Sequence, residues 1–181
     1  MRMPLILVLA LTPTFALAED YCLRNGAEHP ALAVDLATDW QGEVVQFLTV
    51  TDGKPQIIPR DDTRKTASFT AKGQTLNFTD ATTHSPVALE PANGSKWDFA
   101  LPGEAPLKAE ELLGPMLVSA SITCPIEFLP QYFGTSRFGT SALVEFHAYV
   151  LTRHHMLMVI QLHPTEQATA NGLRAVIDFT R

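Results

Sequence analysis

Short alternating segments separated by turn dipeptides restrict the fold of this chain more than any other feature of its sequence. Apolar and polar residues alternate on both sides of Lys72-Gly73, in "ASFTAKGQTLNF". Asp52-Gly53 and Asn93-Gly94 separate further segments of the same kind. Glycine in such a dipeptide adopts the positive φ that a tight hairpin turn requires. The first half of the chain therefore predicts an antiparallel meander of short strands.

Three longer strands are predicted near the C-terminus, where the alternation is strongest. They are "SALVEFHAYVLT", "HMLMVIQLH" and "LRAVIDFTR", and Arg153-His154 joins the first two closely enough for a hairpin. Residues 105–115, which Gly114-Pro115 would end, and residues 30–40 favour short helices. The predicted fold class is mainly β: an antiparallel meander that closes into a β-barrel, or stacks as a β-sandwich, with one or two short helices.

A loop is predicted at residues 133–141, where "FGTSRFGTS" repeats four residues around Arg137. Glycine, serine and threonine are typical of loops, and the two phenylalanines would anchor such a loop to the core. A second hypothesis makes this a ligand-binding loop, in which the hydroxyl groups and Arg137 contact an anionic group of a ligand.

The N-terminal segment has the three parts of a secretory signal peptide. Arg2 precedes an apolar run from Pro4 to Leu11, and the small residues of Ala16-Leu17-Ala18 follow. The run is shorter than the roughly 20 residues of a membrane-spanning helix. We predict a signal peptide at residues 1–18 and one β-rich domain at residues 19–181, periplasmic or secreted, without a transmembrane segment.

Charge and cysteine content narrow the partners and the compartment. The formal net charge is −6, and the basic residues are mixed with acidic ones, as in "RDDTRK", so a nucleic-acid partner is not expected. The two cysteines, Cys22 and Cys124, lack the C-x-x-C spacing of redox-active pairs. An even number of cysteines in an oxidising compartment predicts a structural disulfide between them.

In outline, an exported meander with a short helix and one disulfide resembles a lipocalin-type calyx. The resemblance implies a barrel that holds a small ligand, and it rests on architecture alone. The lipocalin Gly-x-Trp signature is not present, because Trp40 precedes Gly42 in "DWQGEVV". No lipocalin residues are therefore carried over to this chain.

The segment "RHHMLMVIQLH", from Arg153 to His163, raises the question of a ligand or metal site. It holds three of the six histidines and two of the five methionines. A two-residue turn at Arg153-His154 would place alternate residues of the two flanking strands on one face. That face would combine polar groups with apolar ones, namely Glu145, His147, Tyr149, Met156 and Met158.

Three hypotheses follow for this face. An interior surface that binds a ligand combines mostly apolar walls with a few polar groups, as this face would. Imidazole and thioether groups also suit copper, so that His147, Met156 and Met158 are the candidate metal ligands. The third hypothesis is an ordinary strand with core methionines. A turn longer by one residue would move Met156 and Met158 to the opposite face.

The sequence has no Gly-x-Ser-x-Gly elbow, no His-Glu-x-x-His pair and no phosphate-binding glycine loop. We therefore predict a protein that is not an enzyme, has no cofactor, and binds a small apolar or amphipathic ligand or a periplasmic protein partner. The alternatives are a copper-binding protein that uses His and Met ligands, and a hydrolase with an unrecognised site. Glu145 and His147, two residues apart, would be the acid–base pair of such a hydrolase.

Overall fold

Antiparallel pairing of neighbouring strands folds the chain into a closed, eight-stranded β-barrel, as the alternating pattern predicts. The computed structural model describes residues 22, 31–59, 63–81, 83, 85–138, 142–164 and 171–181. The predicted signal peptide at residues 1–18 lies outside the described residues. A turn with positive φ at Asp52-Gly53 connects the two strands of the first hairpin, and a turn with positive φ at Gly73 connects those of the second.

The described elements are two α-helices, nine strands and one short 3-10 helix. In chain order they are α1 (Leu32–Leu36), β1 (Asp39–Thr51), β2 (Lys54–Ile57), β3 (Lys65–Lys72), β4 (Thr75–Thr79), β5 (Val87–Pro91), α2 (Ala109–Ser119), the 3-10 helix (Ile126–Phe128), β6 (Gln131–Phe138), β7 (Ala142–Thr152), β8 (His155–Pro164) and β9 (Gly172–Thr180).

Strand β1 closes the barrel because it pairs along both of its edges. Its first residues pair with β3, its last residues pair with β2, and its other edge pairs with β9 from Gln41 to Val50. The remaining neighbours follow chain order from β3 to β9. Strand β2 is therefore an extra strand attached to the end of β1, and the other eight strands form the barrel.

Large apolar side chains from all eight barrel strands pack in the interior. Phe69 lies 5.3 Å from Phe78 and 5.7 Å from Phe179 between ring centroids, and Phe146 lies 5.6 Å from Phe78. Helix α1 covers one end of the barrel. There the Trp40 indole donates a hydrogen bond to the Leu36 carbonyl, and the Arg181 guanidinium lies over the indole ring. The inner face of the barrel is thus a packed hydrophobic core.

A second hydrophobic cluster forms on the outside of the barrel, where α2 packs against β7, β8 and β9. Leu112, Leu113 and Leu117 of α2 contact a wall that includes Leu157 and Val159. Residues 97–107 cross the same wall before α2. Arg174 of β9 is buried there, and its guanidinium donates hydrogen bonds to the Phe99 carbonyl and to the Glu104 carboxylate, the latter at 2.9 Å.

The predicted disulfide is confirmed. Cys22 is bonded to Cys124, 102 residues further along the chain. Cys124 packs against the α2 cluster, so the bridge ties Cys22 to the covered wall of the barrel. In the described part of the chain, neither α-helix has the length and apolar character that a membrane crossing requires.

Three predictions about local structure are wrong. Helix α2 begins four residues later than residue 105 and continues through Pro115, because burial of Leu117 beyond the proline favours another turn of helix. Asn93-Gly94 forms a turn but no hairpin, since β5 pairs with β6 instead. Residues 133–138 of the predicted loop lie in β6, with Arg137 opposite Leu143, and residues 139–141 lie outside the described residues.

Candidate functional site

A bulge in the β7–β8 hairpin decides which of the predicted site residues meet. Thr152 pairs with His155 as predicted, but the register then shifts so that Val150 pairs with Met156 and Ala148 with Met158. Residues directly opposite each other share a face, so the bulge moves both methionines to the face opposite His147. The prediction that Met156 and Met158 lie beside His147 is therefore wrong.

The candidate copper ligands do not converge. Met156 and Met158 are fully buried in the core inside the barrel, whereas His147 lies on the outer wall. A strand separates the imidazole from both thioethers, so these three side chains cannot bind one ion. Among the described residues, no group of three or more His, Cys, Asp or Glu side chains is arranged to hold a metal ion.

His147 is enclosed by three aromatic rings on the outer wall. The ring centroids of Trp97, Phe133 and Phe99 lie 4.6, 4.9 and 5.0 Å from that of the imidazole. His147 Nε2 lies 3.3 Å from Glu145 Oε2, and Nδ1 has no hydrogen-bond partner among the described residues. Burial lowers the pKa of His147 to about 4, although the Glu145 carboxylate acts in the opposite direction. The imidazole is therefore neutral near pH 7.

A pocket lies beside this cluster, between the outer wall of the barrel and the start of α2. Its volume is about 290 Å³. The first turn of α2, residues 95–98 and the start of the 3-10 helix form its sides, and Gln131 of β6 and Tyr149 of β7 form the barrel side. Trp97 both lines the pocket and contacts His147. This volume is at the small end of the roughly 300–1,000 Å³ typical of ligand pockets.

Two of the residues that line the pocket each have a buried oxygen without a partner. Gln131 and Tyr149 are 2% and 1% exposed, and neither Gln131 Oε1 nor the Tyr149 hydroxyl has a hydrogen-bond partner among the described residues. The two residues pair directly across β6 and β7, so their side chains leave the same face side by side. Buried polar groups without partners are rare in folded proteins, because leaving such a group unpaired costs free energy of folding. Where they occur, they point to a bound partner or a functional role.

The backbone around Gln131 explains its fixed position. Its backbone N–H donates to Asn93 Oδ1, and its side-chain Nε2 donates to the Ile126 carbonyl. Burial raises the pKa of the Tyr149 hydroxyl, and the negative charge of Glu110 adds to this effect. Tyr149 is therefore a neutral phenol at any physiological pH.

The opening of the pocket carries charges of both signs. Lys96, Lys108 and Glu110 are exposed there, and Glu127 is half-buried. Asp98 accepts hydrogen bonds from the backbone N–H groups of Ala100 and Leu107, which lower the pKa of its carboxyl group. Asp98 thus fixes the segment that precedes α2, and the other charged groups remain in contact with solvent.

Of the six predicted ligand-binding residues, only Tyr149 lines this pocket. Glu145 and His147 lie on the same outer wall, whose half-exposed His163 has its Nε2 3.4 Å from Glu145 Oε2. Arg137 is exposed on β6. No sequence pattern indicated Gln131, which lies in the segment "LPQYFGT", or predicted that Trp97 lines the same pocket as Tyr149.

A comparison with protein families, with curated proteins and with solved structures found no match to this chain.

Proposed function

We propose that this protein is an exported, non-catalytic binding protein that holds a small molecule on the outer wall of its barrel. The single observation that carries the proposal is the pair Gln131 and Tyr149, which line one pocket from neighbouring strands and each have a buried oxygen without a partner among the described residues. A ligand that supplies their hydrogen bonds recovers the free energy that their burial costs. The site thus differs from the expected calyx, because it lies outside the packed barrel core.

A binding role is favoured over a hydrolytic one by the state of the acid–base candidates. A general base works best when its pKa is near the working pH. Burial lowers the pKa of His147 to about 4, and the residue is 1% exposed behind three aromatic rings. The Glu145–His147 pair is therefore poorly suited to accept a proton from a substrate at neutral pH.

The disulfide supports export to an oxidising compartment. Such bridges persist in the periplasm and outside the cell, and are reduced in most cytosols. Together with the predicted signal peptide, the Cys22–Cys124 bridge supports a periplasmic or secreted location. The protein partner considered as an alternative has less support, since the exposed large apolar side chains of the described residues are distributed over α1, the end of β2 and the residue after it, α2 and the 3-10 helix.

The test uses the two tryptophans of the chain as internal probes. Trp97 lines the pocket, whereas Trp40 is fully buried at the end of the barrel. We would screen a chemically mixed set of small soluble molecules by NMR with the ¹⁵N-labelled, oxidised protein, and follow the two indole N–H signals. Binding at the proposed site shifts the Trp97 signal and leaves the Trp40 signal unchanged.

A matched pair of variants tests the location. Ala109→Leu adds side-chain volume to the pocket lining and is expected to abolish the shift of the Trp97 signal. Ala105→Leu makes the same change at an exposed position outside that lining and is expected to preserve it. A screen in which no compound shifts the Trp97 signal, or in which Ala109→Leu binds as the parent does, would overturn the proposed function.

A further inference from the structure

The pocket selects a class of ligand as well as a size. Resting on the proposed binding function, we propose that its ligand is a small neutral molecule with a hydroxyl group, and that this group occupies the buried end of the pocket. The hydroxyl donates a hydrogen bond to Gln131 Oε1 and accepts one from the Tyr149 hydroxyl.

Gln131 requires a donor. Its Nε2 donates to the Ile126 carbonyl at 3.4 Å, and a carbonyl oxygen can only accept, so the orientation of the amide is fixed. Oε1 therefore faces away from Ile126 as a buried acceptor without a partner among the described residues. A ligand group that only accepts hydrogen bonds cannot pair with it.

Tyr149 requires a partner that can accept a hydrogen bond from its neutral hydroxyl group. Burial raises the pKa of its hydroxyl, so this group keeps its proton and can donate. Because Gln131 and Tyr149 pair directly across two neighbouring strands, the two side chains present one acceptor and one donor next to each other. A hydroxyl group has both capacities and meets both requirements at once.

Charge and apolar groups are both disfavoured at this depth. A carboxylate would face Gln131 Oε1 without a donor for that oxygen. An ammonium group would lose its hydration to two neutral groups, because Lys96, Lys108 and Glu110 lie at the exposed opening. A purely apolar group would bury both oxygens without hydrogen bonds.

The experiment compares phenol with three molecules that keep its ring: toluene, benzoate and benzylammonium. Each is titrated into the oxidised protein while the Trp97 indole signal is followed. Phenol is expected to bind about tenfold or more tightly than each of the others, because it alone gains hydrogen bonds to both oxygens without burying a charge.

Variants identify the two atoms. Tyr149→Phe and Gln131→Leu are each expected to weaken phenol binding about fivefold to tenfold. Tyr132→Phe removes the same hydroxyl from a buried residue of the barrel core, and Gln161→Leu removes a buried amide elsewhere on the outer wall. Neither control lines the pocket, so both are expected to bind phenol as the parent does. Tyr149→Phe is also expected to unfold at the same or a higher urea concentration, which separates lost binding from lost folding.

Equal binding of toluene, tighter binding of either ion, or no shift with phenol would each overturn the hydroxyl class. The proposed function fails separately, when no compound of the mixed set shifts the Trp97 signal. If the pocket binds other compounds of the set but not phenol, the proposed binding function stands and the proposed hydroxyl class of ligand is wrong.

Discussion

The buried side chain of His147 makes the free energy of unfolding depend on pH. The residue is 1% exposed, and three aromatic rings surround its imidazole. Burial disfavours the charged form and lowers the pKa from its ordinary value of 6.5 to about 4. Glu145 favours the charged form and His163 opposes it, so the two neighbours partly cancel.

We predict that acid destabilises the protein through this residue. Below pH 6.5 the unfolded chain takes up a proton at His147, whereas the folded protein does so only near pH 4. The free energy of unfolding therefore decreases as the pH falls from about 6.5 to about 4, by on the order of 3 kcal/mol. Urea unfolding at pH 7, 6, 5 and 4 measures the decrease.

Two variants separate this effect from general acid denaturation. His147→Phe keeps an aromatic ring in the enclosure and cannot titrate, so its unfolding free energy should vary less with pH. His154→Gln, at an exposed turn residue, should keep the pH dependence of the parent. If His147→Phe loses stability in acid as steeply as the parent does, another group is responsible.

The strands could be predicted from the sequence, but the faces of their residues could not. β7, β8 and β9 follow from alternation, which depends only on neighbouring residues. The bulge between Val150 and Thr152 has no such signal, and it alone moves Met156 and Met158 into the barrel core. Similarly, Pro115 in isolation predicts the end of a helix, and only the packing of Leu117 on the barrel wall explains why α2 continues.

The contact between β5 and β6 depends on Gly134. A Cβ atom at this position would overlap the carbonyl oxygen of Ala88 and lie 2.7 Å from the Leu89 side chain. We predict that Gly134→Ala forces these strands apart and lowers the free energy of unfolding by roughly 1–3 kcal/mol. The change would be measured by urea unfolding at neutral pH.

Gly114→Ala is the matched control. Gly114 lies inside α2, and a Cβ atom there meets nothing within 4 Å. Alanine favours a helix interior over glycine by about 1 kcal/mol, but the ring of Pro115 disfavours a helical conformation for a preceding residue that has a Cβ atom, so the two effects oppose each other and this variant should unfold within about 1 kcal/mol of the parent. Equal stability of Gly134→Ala and the parent would show that β5 can move away without cost.

The pocket is a property of the whole molecule, which explains why the sequence did not predict it. Its lining comes from residues 95–98, the start of α2, the 3-10 helix and two adjacent strands. Closure of the barrel and packing of α2 on its wall bring these segments together. Tyr149 could be predicted from its place in a strand, whereas its partner Gln131 depends on the register of β6 against β7.

The disulfide also affects the molecule as a whole, because it joins two residues that are 102 positions apart in the chain. Cys22 precedes the first barrel strand, so all eight barrel strands can pair without the bridge. We predict that Cys22→Ser/Cys124→Ser retains the far-UV circular dichroism of a β-barrel. Its free energy of unfolding should be lower than that of the oxidised parent by up to about 4–5 kcal/mol, the entropy of closing so long a loop.

Reduction of the parent protein provides the control for this prediction, since it opens the bridge without changing another atom. The reduced parent and the double serine variant should unfold at the same urea concentration, below that of the oxidised protein. Equal stability of all three would mean that the bridge adds nothing to the folded state. Loss of the β signal would mean that barrel closure itself requires the bridge. In the expected case the barrel forms in any compartment, and only an oxidising one gives it full stability.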